Sequence, residues 1–184
     1  MALDDLRKPY PTLSDSIEKS VLKFLDIETT GLYPEHGERV TEVAVLDRNS
    51  ILYSLNCTEQ YVYENLRCRE IPKLISYLAE GVIVGHNIGF DLQFISYEVG
   101  RLKQSGPVVL FIDTLALARV VVPDRTDYSL GSLVALFNIT VKGALHTALV
   151  DAEIVRALFW LLLEVGNIGT LAEAGMKQLS WKTA

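Results

Sequence analysis

The spacing of apolar residues changes period several times along the chain, and each change predicts an element. Residues 1–20 are polar and mixed, with Pro9 and Pro11 near the start and a short helical pattern from Ser14 to Lys19, and they read as a peripheral arm. Val21 to Ile27 and Arg39 to Leu46 are apolar runs of strand length. Ser50 to Asn56 follows closely enough to pair with the second run through a turn at Asp47-Arg48-Asn49. From Arg69 to Glu80 the apolar residues recur at helical spacing, and Gly81 stops them. Val82-Ile83-Val84 predicts a short buried strand. The helix after it keeps Ile88, Leu92, Ile95, Val99 and Leu102 on one face, with Asn87 as its N-cap. Beyond the break at Gly106-Pro107, Val108 to Ile112 predicts the last strand. Short helices are expected over Thr114 to Val120 and Ser129 to Phe137. A long one should run from Thr147 to Val165 with Val150, Ile154, Leu158, Leu161 and Val165 inward, and a final short helix lies near Leu171 to Gln178.

Three strands in a row followed by alternating helix and strand predict an α/β fold built on one mixed five-stranded sheet. Its early part should be antiparallel and its later part parallel, with helices on its faces. The expected organisation is an N-terminal arm over 1–20, one domain over 21–165 and a helical appendage over 166–184. Composition agrees with a single packed domain: 184 residues, 49% hydrophobic and 22% charged. Seventeen Lys and Arg against 23 Asp and Glu give a net charge of −6. That argues against binding nucleic acid by bulk positive charge. It leaves room for an enzyme that grips a few phosphates through bound cations. Cys57 and Cys68 match no zinc spacing and are expected as free thiols in a reducing compartment. No basic-plus-apolar leader opens the chain, and the apolar run from Ala157 to Leu163 is too short for a membrane span, so a cytoplasmic location is expected.

Chemistry concentrates in three segments. In Phe24-Leu25-Asp26-Ile27-Glu28-Thr29-Thr30-Gly31-Leu32, residues i and i+2 of a strand point the same way. Asp26 and Glu28 therefore project together, with Cα atoms about 6–7 Å apart. Two carboxylates at the end of an apolar strand repel each other and call for a cation, and their hard oxygens suit Mg²⁺ or Mn²⁺. The alternative is a strand that has simply emerged into solvent. In Val84-Gly85-His86-Asn87-Ile88-Gly89-Phe90-Asp91, a buried strand ends in a polar turn and Asp91 falls in the first turn of a helix. An acid there is also ordinary helix-terminus electrostatics, and His86 and Asn87 are the residues of a turn and a cap. In His146-Thr147-Ala148-Leu149-Val150-Asp151, a regular helix would leave His146 and Asp151 about 140° apart. Both can face one point only if His146 lies on the loop before the helix.

Together the segments supply four carboxylates, Asp26, Glu28, Asp91 and Asp151, and one titratable base, His146. Four carboxylates on separate elements could hold two divalent cations about 3.5–4 Å apart for in-line attack on a phosphodiester. A histidine, with a reference pKa near 6.5, can take a proton from water at neutral pH.

These segments resemble the DEDDh family of 3′→5′ exonucleases, the group of the polymerase III epsilon proofreading subunit. Asp26 and Glu28 fall on its first motif, Asp91 on its second, and His146 with Asp151 on its third. Ile112-Asp113-Thr114-Leu115 and Tyr128-Ser129-Leu130 look like its intervening segments. The resemblance implies a ribonuclease-H-like fold, two Mg²⁺ or Mn²⁺ ions, and release of 5′-mononucleotides from single-stranded 3′ ends, with a DNA polymerase as a partner. It also implies that Thr29, Gly31 and Leu32 line the terminal nucleotide, with Leu32 against its base, and that Phe90 supports the sugar or the packing beneath it. The segment from Cys57 to Ile71 departs from the family by lacking a Gly-Ile-Thr-like element. Single-stranded DNA is the expected substrate. RNA or short oligonucleotides would be served by the same five residues, and a catalytically silent binding module would be expected to have lost a carboxylate.

Overall fold

Strand β1 (Leu22–Thr29) sits in the middle of a mixed sheet, and its alternation sets both faces of the molecule. The computed structural model describes residues 10–56, 70–103, 106–144 and 146–181. β1 pairs antiparallel with β2 (Val40–Leu46), which pairs antiparallel with β3 (Ile51–Asn56). On its other side β1 runs parallel to β4 (Val82–Gly85), and β4 parallel to β5 (Val109–Asp113). A sixth strand, β6 (Lys177–Leu179), closes the edge antiparallel to β5, giving the order β3-β2-β1-β4-β5-β6. The described helices are α1 (Ile71–Leu78), α2 (Gly89–Arg101), α3 (Thr114–Val121), α4 (Leu130–Phe137) and α5 (Ala148–Gly166).

Period-two alternation explains the layers. Phe24, Ala44, Leu46, Val84 and Ile112 face α3, α4 and α5, where Leu117, Leu133, Val155, Phe159 and Leu162 meet them. Leu25, Ile27, Val43, Val45 and Ile83 face α1 and α2, against Leu74, Leu78, Leu92 and Ile95. Phe24 and Phe159 meet edge to face with ring centroids 5.8 Å apart, and neither is exposed. Phe159→Ala should therefore cost about 3–5 kcal/mol of stability, measured as a shift in denaturant midpoint at unchanged m-value.

Several expectations are corrected. The sheet has six strands rather than five. The segment expected as a final helix forms turns ending at Gly175, whose φ of 74° suits glycine, and then pairs as β6. Without β6 the β5 edge would present unpaired backbone groups. Residues 13–17 are not peripheral: Ile17 N–H donates to Gly169 O, Leu171 N–H to Asp15 O and Ala172 N–H to Leu13 O. Ile17 and Leu171 are buried in the core beneath α5. Asn87 does not cap α2; it adopts a left-handed φ of 57° and its N–H donates to the Asp113 carboxylate at 2.9 Å. In α5, Ile154 and Leu158 are buried as expected, but Val155, Phe159 and Leu162 complete the inner face while Val165 is exposed. So many positions of this helix are apolar that periodicity alone does not fix its rotation. Cys57, Cys68 and most of the 57–71 segment lie outside the described residues. No helix among the described residues is long and apolar enough to cross a membrane.

Candidate active site

The site forms where β1 and β4 part. Their pairing ends at Phe24–Val84, yet β1 continues to Thr29. In its last residues Asp26 and Glu28 point to the α5 side, on the same face as Phe24. Past the last β1–β4 pair, Ile27 N–H donates to Asp91 Oδ1 at 3.1 Å from the first turn of α2. Asp91 thus reaches the site from the opposite layer. This is the carboxyl end of the parallel strands, where open α/β sheets place their ligands.

The third segment arrives from α5. His146 precedes the helix with a left-handed φ of 65°, and its N–H donates to Asp151 Oδ2 at 3.3 Å. The histidine therefore sits on the loop and Asp151 in the first turns of the helix. Glu28, His146 and Asp151 each bring a potential ligand atom to within 4.8 Å of the other two. Asp26 and Asp91 are not members of this close group: Asp26 shares the strand face of Glu28 two residues before it, and Asp91 is tied to β1 through Ile27 N–H.

Burial and like charge act together on the acids. Burial pushes the Asp26 carboxyl up to about 10, and the charges of Asp91, Asp151, Glu28 and Glu42 add to it. Asp91 is raised well above the usual carboxylate range by burial, although its own N–H and that of Ile27 oppose the rise. Glu28 and Asp151 are also raised, first by burial, and His146 partly offsets each. Asp151 Oδ1 is buried with no hydrogen-bond partner. A cluster of hard oxygens that resists ionisation and contains an orphaned acceptor fits a divalent cation.

The residues around the acids are held by identifiable contacts. The Thr29 hydroxyl donates to Gly31 O, and the Glu38 carboxylate, which accepts Tyr33 N–H, occupies the space that a Cβ on Gly31 would need. Leu32 is 66% exposed at the tip of this turn. The turn is tied to α2 by the buried Glu98, which accepts from Arg39 Nε and Nη2 and from Arg101 Nη1 at 2.7–2.8 Å. Arg101 in turn donates to Pro34 O and Glu38 O. Phe90 lies half-buried against Phe94, ring centroids 4.9 Å apart. His86 is a turn-maker: its Nδ1 lies 3.0 Å from the Thr114 hydroxyl and its Nε2 2.9 Å from Tyr128 O. Asp113 and Ser129 cap α3 and α4.

Sequence reasoning missed Glu42, which pairs with Glu28 across the β1–β2 ladder. The signal was available, because alternation from Ala44 and Leu46 puts residue 42 on the same face.

Residues 60–159 match the family model described as Exonuclease, a span that takes in Asp91, His146 and Asp151. The chain is 27% identical over 162 residues to the DNA polymerase III subunit epsilon of Rickettsia conorii, covering 73% of this chain and 70% of that one. It is 28% identical over 182 residues to the 3′-5′ exonuclease DinG of Bacillus subtilis, covering 84% of this chain and 19% of the relative. Among solved structures, Exonuclease X in complex with 5′ overhanging duplex DNA aligns with a TM-score of 0.57 at 21% identity, over 83% of this chain and 97% of that one.

Proposed function

Because this chain belongs to the exonuclease family, and is an enzyme of the nuclease class, we propose that it removes 5′-mononucleotides from the 3′ ends of single-stranded DNA. We assign the activity to residues 21–165 and the working compartment to the cytoplasm. The observation that carries the reading is the convergence of Glu28, His146 and Asp151, with Asp26 on the same strand face and the buried Asp91 bound to β1 at Ile27. The choice of DNA, and of a DNA polymerase as partner, is supported by what the matched relative from Rickettsia conorii is called.

Two Mg²⁺ or Mn²⁺ ions, held by Asp26, Glu28, Asp91 and Asp151, would neutralise the phosphate and stabilise the charge that develops on it. Around them the chain's own groups have separate tasks. His146 accepts a proton from the attacking water as its oxygen adds to the terminal phosphorus. The P–O3′ bond then breaks. The departing 3′-oxygen takes a proton from solvent and ends as the new 3′-hydroxyl, His146 gives its proton back to solvent, and the terminal residue leaves as a 5′-mononucleotide. Thr29, Gly31 and Leu32 meet that nucleotide, with Leu32 against its base and Phe90 beneath its sugar. The Glu98–Arg39–Arg101 cluster keeps this turn in register with Asp91.

Digestion of 5′-labelled single-stranded DNA and RNA with Mg²⁺, Mn²⁺ or EDTA tests the reading. A ladder shortening by one nucleotide at a time on DNA supports it, and the same ladder on RNA alone would move the substrate to RNA. Covalently closed single-stranded circles should survive, since they offer no 3′ end to the Thr29–Leu32 turn. Rapid cutting of circles would make the enzyme an endonuclease.

A further inference from the structure

Glu42 does more than crowd the neighbouring carboxylates. It stands opposite Glu28 in the β1–β2 register, and both of its oxygens are engaged. Oε1 accepts from Asn56 Nδ2 at 2.6 Å, within the sheet. Oε2 accepts from Ala148 N–H at 3.1 Å, which joins strand β2 to helix α5 across 106 residues of chain. Ala148 is the first residue of α5, and the Thr147 side chain makes no cap bond. The amides of a first helical turn have no partner within the helix, and a carboxylate there also meets the positive end of the helix dipole. A cap that α5 would ordinarily take from its own N-terminal residue is thus supplied by a strand.

The start of α5 sets the positions of two site residues. His146 lies two residues before Ala148 in a left-handed conformation, and its N–H is bound to Asp151 in the helix that follows. A shift of the helix start would carry both away from Glu28. We propose that Glu42 is a positioning residue: by docking the first amide of α5 onto β2, it holds His146 and Asp151 against Glu28. With both oxygens occupied, Glu42 has a different role from the four acids proposed as ligands. The docking stands on the hydrogen bonds alone, and its consequence for hydrolysis rests on the exonuclease reading.

Three variants test this: Glu42→Ala, Glu42→Gln and Ala148→Pro. The last removes the donor while leaving the strand untouched. Proline is tolerated at the first helical position, and Thr147 already has the extended backbone that a following proline requires. In EDTA, amide exchange read by NMR should speed up at His146 and Asp151, whose N–H groups bond to Asp151 Oδ2 and Thr147 O, by roughly 3–10-fold in Glu42→Ala and Ala148→Pro, the loss of one hydrogen bond. Glu42→Gln, whose amide oxygen still accepts, should restore the protection. At saturating Mn²⁺, kcat on a single-stranded DNA 3′ end should fall by about 10²-fold in the first two variants with KM little changed, and glutamine should recover most of it. Unchanged exchange in Glu42→Ala and Ala148→Pro overturns the docking. Loss of Mn²⁺ binding by calorimetry in Glu42→Gln, with kcat as low as in Glu42→Ala, makes Glu42 a ligand instead. Absence of hydrolysis in the unaltered protein defeats the exonuclease reading and leaves the exchange result to judge the docking.

Discussion

Asp26→Asn is expected to remove hydrolysis almost entirely while raising the melting temperature of the metal-free protein. The two effects have one cause. Asp26 is largely desolvated beside Asp91, Asp151, Glu28 and Glu42, so without a cation the fold keeps its carboxyl protonated, a proton the unfolded chain does not hold at neutral pH. Asparagine is neutral without taking up a proton, so it removes that cost, and it gives up a cation ligand. Turnover should drop by roughly 10³-fold or more, the scale of losing several kcal/mol of charge stabilisation, and excess EDTA should do the same to the unaltered enzyme. The melting temperature in EDTA should rise by about 2–4 °C for each kcal/mol of protonation cost removed. The sign of the pH dependence follows. The folded metal-free protein holds a proton on Asp26 up to about pH 10, whereas the unfolded chain releases it near 3.8. Between those values the folded state binds more protons, so metal-free stability falls as pH rises. Melting curves in EDTA from about pH 5 to pH 9 should show that fall, and Asp26→Asn should flatten it. Full activity in Asp26→Asn, or in excess EDTA, would sink the assignment.

His146→Ala should lower turnover by roughly 10²–10⁴-fold, the range for a positioned acid–base group. Divalent-ion binding measured by calorimetry should change little. The geometry makes this a discriminating experiment, because the His146 ring brings a nitrogen to within 4.8 Å of both Glu28 and Asp151 and so stands where a ligand could also stand. What separates the roles is location. The imidazole is exposed on its loop, while Asp91 and Asp151 are buried and raised by burial first. A base must reach the proton of an attacking water and then return it to solvent. If His146→Ala loses the cations yet turns over normally at saturating Mn²⁺, His146 is a ligand and the base lies elsewhere.

The most legible parts of the fold in the sequence were those with strict local period. Alternation around Asp26 and Glu28 fixes which side of β1 they occupy, and helical geometry alone requires His146 to leave the helix if it is to face Asp151. The miscast segments depend on partners distant in sequence. Lys177 to Leu179 becomes a strand because β5 has a free edge, and nothing within those residues states that an edge is waiting. Ile17 looks like part of a polar arm until Gly169 and Leu171 supply its neighbours. Glu42 was hidden for a related reason: its importance comes from an amide 106 residues away.

The bonds that fasten residues 13–17 to residues 169–172 set an order of events at the ribosome. The β1–β2–β3 meander can form early from local pairings, but β4, the parallel neighbour of β1, begins only at Val82. The place that receives Ile17 is incomplete until Leu171 has been made. At about 5–20 residues per second, that wait is about 8–30 s. For the earlier part of it, until Val82 to Gly85 have been made, the β4-facing edge of β1 is open to other chains, as any unpaired strand edge is. Asp26 and Glu28 lie in that strand, and charge on an unpaired strand discourages strangers from adding to it. The two cleft carboxylates on β1 would thus guard the nascent strand before they serve the mature site.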